Sequence, residues 1–165
     1  MKAEIINIGD ELLIGQVVNT NASWMASQLN KAGISVVQTT TIADDDRTIK
    51  NTLDQAFNRA EVVLISGGLG PTKDDITKKT LTDYFDSKLI FHEPTYTQIK
   101  KIFAARKFPI SEVNRQQAMI PEKCKPLFNK NGTAPGMWFE RDGKVAVSMP
   151  GVPFEMKAMM EEQVI

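Results

Sequence analysis

The chain has 165 residues, of which 42% are hydrophobic and 24% charged, which is enough for one domain with its own core. Its 20 basic and 20 acidic residues leave no net charge to attract a polyanion, so we expect no nucleic-acid partner. The single cysteine, Cys124, excludes an internal disulfide, and no apolar run approaches a membrane span. Since the first residues also lack the pattern of a signal peptide, we expect a cytoplasmic protein.

The first half of the chain alternates between strand and helix patterns. The predicted elements are a strand over 5–8, a loop or short turn over 9–15, a helix after 19–21, a strand over 34–42, a helix after 44–46 and a strand over 62–65. The helices show apolar residues at three- and four-residue spacing, whereas the last strand is apolar on both faces. This order predicts an α/β domain with a mainly parallel sheet that is covered on both sides.

The second half adds helices and an antiparallel pair of strands. Helices are predicted over 76–85, 93–107, 111–119 and 154–165, with a short strand and turn over 125–132. The strands 137–140 and 144–149 flank Arg141-Asp142-Gly143, a sequence typical of a hairpin turn. The antiparallel hairpin is therefore expected to extend the parallel sheet. No internal repeat or low-complexity linker is present, so residues 1–165 are interpreted as a single domain.

Three polar segments follow strand ends in the first half, and they are the candidate site. They are Gly9-Asp10-Glu11, residues 44–46, which are all aspartates, and the glycine-rich segment 67–75. Because parallel strands end at the same edge of a sheet, these segments should meet there. Gly67, Gly68 and Gly70 precede a predicted helix, an arrangement that can bind phosphate through backbone N–H groups, although a simple strand–helix turn would need the same glycines.

The neighbouring aspartates predict a cation beside the phosphate. Asp10, Asp44, Asp74 and Asp75 would repel a bound phosphate unless a divalent metal lay between them, and carboxylates are the ligands that such metals prefer. One of the aspartates at 44–46 is expected to cap the next helix instead.

Other chemistries find little support. Thr72, Thr77, Lys73 and Arg47 could contact phosphate, whereas His92 is placed on a surface turn and Cys124 is interpreted as structural. Because His92 is the one histidine of the sequence, a Ser-His-Asp triad would have to use it, and no cysteine–histidine zinc cluster is present. The glycine segment matches neither the phosphate-binding loop of nucleotide hydrolases nor the full dinucleotide-binding pattern.

Four motifs in order resemble one family. They are Asn7–Leu13 with Gly15 and residues 19–21, Ile42–Asp45, Ser66–Thr77 and Met149–Met156. Together they are similar to the N-terminal domain of the CinA (competence/damage-inducible) family, within the molybdopterin-binding-like domains of molybdenum-cofactor assembly enzymes. The resemblance implies a three-layer α/β/α sandwich, a pocket for a pterin- or nucleotide-type phosphate ligand, self-association, and a position at the N-terminal side of a longer protein.

The resemblance also implies an activity and its residues. CinA-like domains are associated with metal-dependent hydrolysis of ADP-ribose, and Leu69 and Asp74 stand where the cofactor-assembly relatives carry a threonine and a basic residue, which favours ADP-ribose over molybdopterin. Asp44, Asp74 and Asp75 are the predicted catalytic residues, and Asp10, Asp44 and Asp75 the predicted ligands of a Mg, Mn or Co class metal. The predicted ligand contacts are Gly9, Gly67, Gly68, Leu69, Gly70, Thr72, Thr77, Pro150, Gly151 and Pro153.

Two other functions remain open at this point. One is adenylylation of molybdopterin, as in the cofactor-assembly relatives, and the other is a non-catalytic ligand-binding module of a competence/damage-inducible protein. Direct DNA contact is a weaker hypothesis, because the balanced charge gives it no support.

Overall fold

The computed structural model describes residues 1–72 and 76–165. Its strands are β1 Lys2–Ile8, β2 Ser35–Ile42, β3 Val62–Ser66, β4 Leu89–Phe91, β5 Met119–Pro121, β6 Lys125–Leu127, β7 Gly136–Arg141 and β8 Lys144–Met149. Its helices are α1 Asp10–Leu13, α2 Thr20–Lys31, α3 Asp46–Arg59, α4 Thr77–Tyr84, α5 Glu93–Ala105, α6 Glu112–Gln116 and α7 Pro153–Met159, and a π-helical turn follows at Met160–Val164.

Six strands form one mixed sheet in the order β2-β1-β3-β8-β7-β6. The four neighbouring strands β2, β1, β3 and β8 are parallel to one another, and β7 runs antiparallel between β8 and β6. The expected hairpin is therefore present, and its second strand, β8, also joins the parallel part beside β3. A separate two-stranded antiparallel sheet pairs β4 with β5.

Two apolar layers cover the two faces of the large sheet. Ile6 and Ile8 of β1 point towards α3 and α4, whereas Ala3 and Ile5 point towards α2 and α7, as the two-residue period of a strand requires. Each layer is continuous with buried residues of its helices, among them Leu53 of α3. The fold is thus the three-layer α/β/α sandwich that the resemblance implied.

An ion pair with a buried carboxylate ties one helix to the centre of the sheet. Glu4 of β1 is 0% exposed, and Arg59 at the end of α3 binds both of its carboxylate oxygens at 3.0 and 2.8 Å. An unpaired carboxylate at this depth would be strongly destabilising. The guanidinium group therefore fixes how the end of α3 lies over the sheet.

The structure departs from the sequence predictions mainly around short elements. Residues 10–13 form the helix α1 rather than a loop, and the pair of short strands β4 and β5 was not predicted. The final helix ends at Met159, where the backbone changes to the π-helical turn. In the part of the chain that the structure describes, no helix is long and apolar enough to cross a membrane.

Candidate functional site

A tight glycine turn follows β3 at the carboxyl edge of the sheet. Gly67 and Gly68 have φ angles of +110° and +68°, which favour glycine. A Cβ on Gly67 would lie 2.1 Å from the carbonyl oxygen of Ile8, and one on Gly68 would lie 2.0 Å from Thr77 Oγ1. The turn is therefore pressed against β1 on one side and against the start of α4 on the other.

One amide of this turn is already used by the sheet. The Gly67 N–H donates a hydrogen bond to the Met149 carbonyl at 3.1 Å. The glycine pattern predicts that this amide is available to phosphate. Fewer backbone donors of the turn are therefore open to a ligand than the glycine pattern suggested.

The ends of the first three strands meet beside this turn. Gly9 N–H donates to the Ile42 carbonyl at 3.1 Å, and Asp44 N–H donates to Asp10 Oδ1 at 3.4 Å. The position of a Cβ on Gly68 lies 3.4 Å from Asp44 Oδ1. The structure thus brings Asp10, Asp44 and the glycine turn to one place, as the parallel order of the strands predicts.

The aspartates at positions 44–46 have separate surroundings. Asp45 caps α3, because its carboxylate accepts hydrogen bonds from the backbone N–H and hydroxyl of Thr48, and these bonds lower its pKa. Asp46 binds Lys50 and the Thr80 hydroxyl, which likewise lower its pKa. Asp44 is left as the aspartate of this run that lies beside Gly68.

A buried asparagine joins the glycine turn to the opposite wall. Asn21 Nδ2 donates to Ser66 Oγ at 3.1 Å and to the Gly151 carbonyl at 2.9 Å. A Cβ on Gly151 would lie only 3.3 Å from Gly67 Cα. Asn19 caps α2 by accepting a hydrogen bond from the Ala22 N–H. Asn21 instead positions the two walls of the site.

A cleft of about 460 Å³ opens over this turn, a volume within the range of small-molecule sites. Its lining includes Ile8, Glu11, Gly67, Gly68, Leu69, Gly70, Pro71, Gln117, Thr133, Ala134, Pro150, Gly151, Val152 and Glu155. The charged members of this lining are Glu11 and Glu155. The cleft is therefore acidic over the part of the chain that the structure describes.

The remaining predicted contacts are spread around the cleft. Thr77 lies fully buried under Gly68, and Thr72 lines an adjoining cavity of about 250 Å³. Pro153 lines a third cavity, of about 120 Å³, on the Asn21 side. Gly9 lies against the Glu11 carboxylate, with 2.4 Å between its Cβ position and Oε1. Lys73, Asp74 and Asp75 fall outside the described residues, so the roles predicted for them stay predictions.

Three other residues named from the sequence do not line the main cleft. His92 caps α5, where its Nδ1 accepts a hydrogen bond from Thr95 N–H, and Arg47 is exposed in the first turn of α3. Cys124 is buried, and burial raises the pKa of its thiol to about 12. A protonated, buried thiol is unreactive, which agrees with the structural role expected for it.

Three residues at the cleft were not predicted from the sequence. Glu155, Gln117 and Lys78 line the cleft or the cavities that adjoin it, whereas Glu11, which also lines the cleft, belongs to the predicted segment Gly9-Asp10-Glu11. Glu155 lies within the motif Met149–Met156, which could have indicated it, and its carboxylate accepts a hydrogen bond from Asn129 at 2.8 Å. Gln117 and Lys78 carry no local motif, and they reach the site only through the packing of α4 and α6.

Two of the three predicted metal ligands lie at the same edge of the sheet. No group of three histidine, cysteine or acidic side chains suited to a metal occurs within residues 1–72 and 76–165. Asp10 and Asp44 nevertheless lie together at the sheet edge, and carboxylates suit hard cations such as Mg²⁺. The third predicted ligand, Asp75, lies outside the described residues.

Comparison with known proteins identifies the family of this chain. The sequence model of the family described as "Probable molybdopterin binding domain" matches residues 4–165. A CinA-like protein of Flavobacterium psychrophilum is 50% identical over all of this chain. The crystal structure of CinA from Thermoplasma acidophilum is 34% identical, with a TM-score of 0.89 over 99% of this chain and 98% of that one. The chain belongs to the CinA-like family of molybdopterin-binding domains.

More distant structures share the fold of this CinA-like domain. The tungsten cofactor synthesizing protein MoaB from Pyrococcus furiosus is 20% identical, with a TM-score of 0.63 over 97% of this chain and 88% of that one. This likeness shows the fold alone. The CinA-like domain spans 40% of the length of the Flavobacterium protein, so whatever the remaining part of such a protein does is a separate question.

Proposed function

We propose that this CinA-like domain binds a small phosphate-bearing ligand of the pterin or nucleotide type in the cleft over the glycine turn. The supporting observation is the turn itself, where Gly67, Gly68 and Gly70 line a cleft of about 460 Å³ at the meeting point of three strand ends. Glycines present only backbone to that space, so a phosphate can approach them closely. The membership of the family supports the same class of ligand.

The charge of the cleft requires a cation to accompany the phosphates. Glu11 and Glu155 line the cleft, Asp44 lies beside Gly68, and the Asp44 N–H binds Asp10. We therefore infer a divalent cation of the Mg, Mn or Co class at Asp10 and Asp44, with Asp75 as the third predicted ligand. When bound, such a cation would screen the phosphates and lower the pKa of a bound water.

Calorimetric titration tests binding directly. Wild-type protein titrated with ADP-ribose should bind in the presence of Mg²⁺ or Mn²⁺, and binding should weaken at least roughly tenfold when the cation is removed with a chelator. Asp44→Asn should reduce the cation-dependent affinity by a similar factor. Asp142→Asn, in the distant hairpin turn, is the matched control and should leave it unchanged. Absence of binding to ADP-ribose, ADP and pyrophosphate under all these conditions would refute the proposal.

Metal-dependent hydrolysis of ADP-ribose is the activity that we place on this site. The acidic lining supports it, because carboxylates beside a phosphate-binding turn serve a metal and its water better than they serve phosphate alone. Water would add across the pyrophosphate, giving AMP and ribose 5-phosphate. Release of both products should depend on the divalent cation, and Asp75→Asn should depress turnover far more than stability. Tight binding without either product would leave a ligand-binding module.

Adenylyl transfer to molybdopterin is the second candidate, and membership of the molybdopterin-binding family favours it. Incubation with ATP, Mg²⁺ and molybdopterin distinguishes the two reactions, because only transfer gives an adenylylated pterin. Formation of that product would reverse the order of the two activities. The self-association implied by the resemblance stays a prediction, which sedimentation equilibrium can measure.

A further inference from the structure

Gln117 is a buried amide without a hydrogen-bonding partner for its side chain among the described residues. It is 4% exposed, and both its Nε2 and its Oε1 are shielded and unbonded. A buried polar group in that state is destabilising, because it has lost its hydrogen bonds to water without replacing them. An amide held in this way is unusual unless something that binds to the protein completes it.

The position of Gln117 connects it to the proposed ligand site. It lines the main cleft of about 460 Å³ and two adjoining cavities of about 30 and 250 Å³. Gly70, at the end of the glycine turn, lines the same three spaces. A ligand with phosphates at the turn can therefore extend past Gly70 into the cavities that Gln117 lines.

The backbone that carries this side chain is fixed at the end of α6. The Gln117 backbone N–H donates to the Asn114 carbonyl at 3.2 Å, and the preceding carbonyl, that of Gln116, accepts a hydrogen bond from Lys78 Nζ at 2.9 Å. Lys78 lies on α4, directly after the glycine-rich segment, and lines the two adjoining cavities. The backbone around Gln117 is thus fixed to the helix that begins at the site.

A carboxamide offers one acceptor and two donors on adjacent atoms. It matches a ring that presents a donor and an acceptor side by side, such as the aminopyrimidine edge shared by adenine and pterins. When proteins read bases, glutamine binds adenine by two hydrogen bonds, to N6 and N7, and the N6 and N1 side of the ring offers the same combination of a donor and an acceptor. Since neither amide atom is bound to the described protein, the group can turn to suit either order of donor and acceptor.

We propose that Gln117 recognises the heterocycle of the bound ligand by pairing its carboxamide with the aminopyrimidine edge. The phosphates occupy the glycine turn, and the ring reaches the inner end of the cleft beside Gln117. This inference rests on the proposed function, because it needs a phosphate ligand at the turn. It assigns the selection of the ring to a side chain remote from the glycine motif.

The test compares ligands with and without the ring edge. Wild-type protein and Gln117→Leu are titrated with ADP, with purine riboside 5′-diphosphate, which lacks the 6-amino donor, and with pyrophosphate, all in Mg²⁺. The variant should bind ADP roughly tenfold or more weakly and pyrophosphate within about twofold of wild type. Wild type should prefer ADP to the purine analogue, and the variant should lose that preference. Titration with a pterin phosphate distinguishes the two sources of the ring.

Stability separates recognition from a structural role. Leucine removes two unbonded polar atoms, so the melting temperature of Gln117→Leu should equal or exceed that of wild type. The exposed Gln55→Leu on α3 is the matched control and should change none of the affinities. An unchanged ADP affinity in Gln117→Leu, or an equal loss for ADP and pyrophosphate, would overturn the inference. If wild type binds pyrophosphate but does not distinguish ADP from it, this inference fails alone, and if it binds neither, the proposed function fails as well.

Discussion

Gly67→Ala tests whether the glycine turn is pressed against β1. The substitution introduces a Cβ 2.1 Å from the Ile8 carbonyl oxygen and 3.1 Å from its carbonyl carbon, at a φ of +110°. Both neighbours are backbone atoms of a central strand, so no side-chain rotation can relieve the collision. Gly33→Ala is the matched control, because Gly33 also has a positive φ, +77°, but no atom lies within 4 Å of its Cβ position.

The two variants differ because only the Cβ of Gly67→Ala collides with backbone atoms. Both place alanine at a positive φ, which costs about 1–2 kcal/mol relative to glycine, and both reduce the backbone freedom of the unfolded chain to the same extent. Gly67→Ala must in addition displace backbone in a filled interior, for which about 1–3 kcal/mol is typical. It should therefore be roughly 1–3 kcal/mol less stable than Gly33→Ala, and it should melt roughly 2–12 °C lower for a domain of this size.

Thermal and urea unfolding followed by circular dichroism measure this difference. A Gly67→Ala protein that is as stable as Gly33→Ala would show that the turn does not lie against Ile8. The convergence of strand ends, on which the candidate site depends, would then be wrong. A lowered stability with unchanged ligand affinity would instead leave the turn in place and remove its role in binding.

Three further variants probe the groups around the sheet edge. Burial lowers the pKa of Lys78 to about 8. Between about pH 8 and about pH 10.5 the unfolded chain therefore binds more protons than the folded chain. Stability should rise with pH across that window, and Lys78→Met should abolish the rise. Asn21→Ala leaves the Gly151 carbonyl without its donor and should reduce stability by about 1–3 kcal/mol and weaken ligand binding. Arg59→Met leaves the buried Glu4 carboxylate unpaired and should reduce stability by about 3 kcal/mol with ligand affinity unchanged, because the pair lies away from the cleft.

The lysine and asparagine variants each have an exposed counterpart of the same residue type. Lys79→Met should keep the wild-type pH dependence, and Asn51→Ala, on the outer face of α3, should stay close to wild-type stability. A Lys78→Met protein that retains the rise above pH 8 would contradict the burial assigned to this amine. Reduced ligand affinity in Arg59→Met would show that the ion pair reaches the site after all.

The sequence predicted the parts of the fold that carry periodic or local signals. The first three strands, their helices and the hairpin are marked by alternation, apolar spacing or turn residues, and Asp45 caps α3 as its position suggested. The small sheet of β4 and β5 escaped notice, because each strand has three residues and they are distant in sequence. Pairing between such segments depends on tertiary packing, which no short window of sequence contains.

Some residues of the site could be predicted from the sequence and others could not. Parallel strands imply that segments after their carboxyl ends converge, and the contacts of Asp44 with Asp10 and beside Gly68 agree with that rule. Gln117 and Lys78 follow from no such rule, since they lie on α6 and α4 and reach the cleft through packing. The bond from Gly67 to Met149 was equally hidden, because it depends on how β3 pairs with β8.

These missed contacts change the balance of forces expected at the cleft. The Gly67 amide is bound to the sheet, and the charged residues that line the main cleft, among those described, are acidic. Backbone N–H groups alone then contribute less to holding a diphosphate than the glycine motif suggests, and a cation must contribute more. The affinity for any phosphate ligand should consequently depend more steeply on the divalent cation than on substitutions within the turn that preserve the fold. Selectivity among phosphate ligands would arise at the other end of the cleft, where Gln117 offers the unpaired amide.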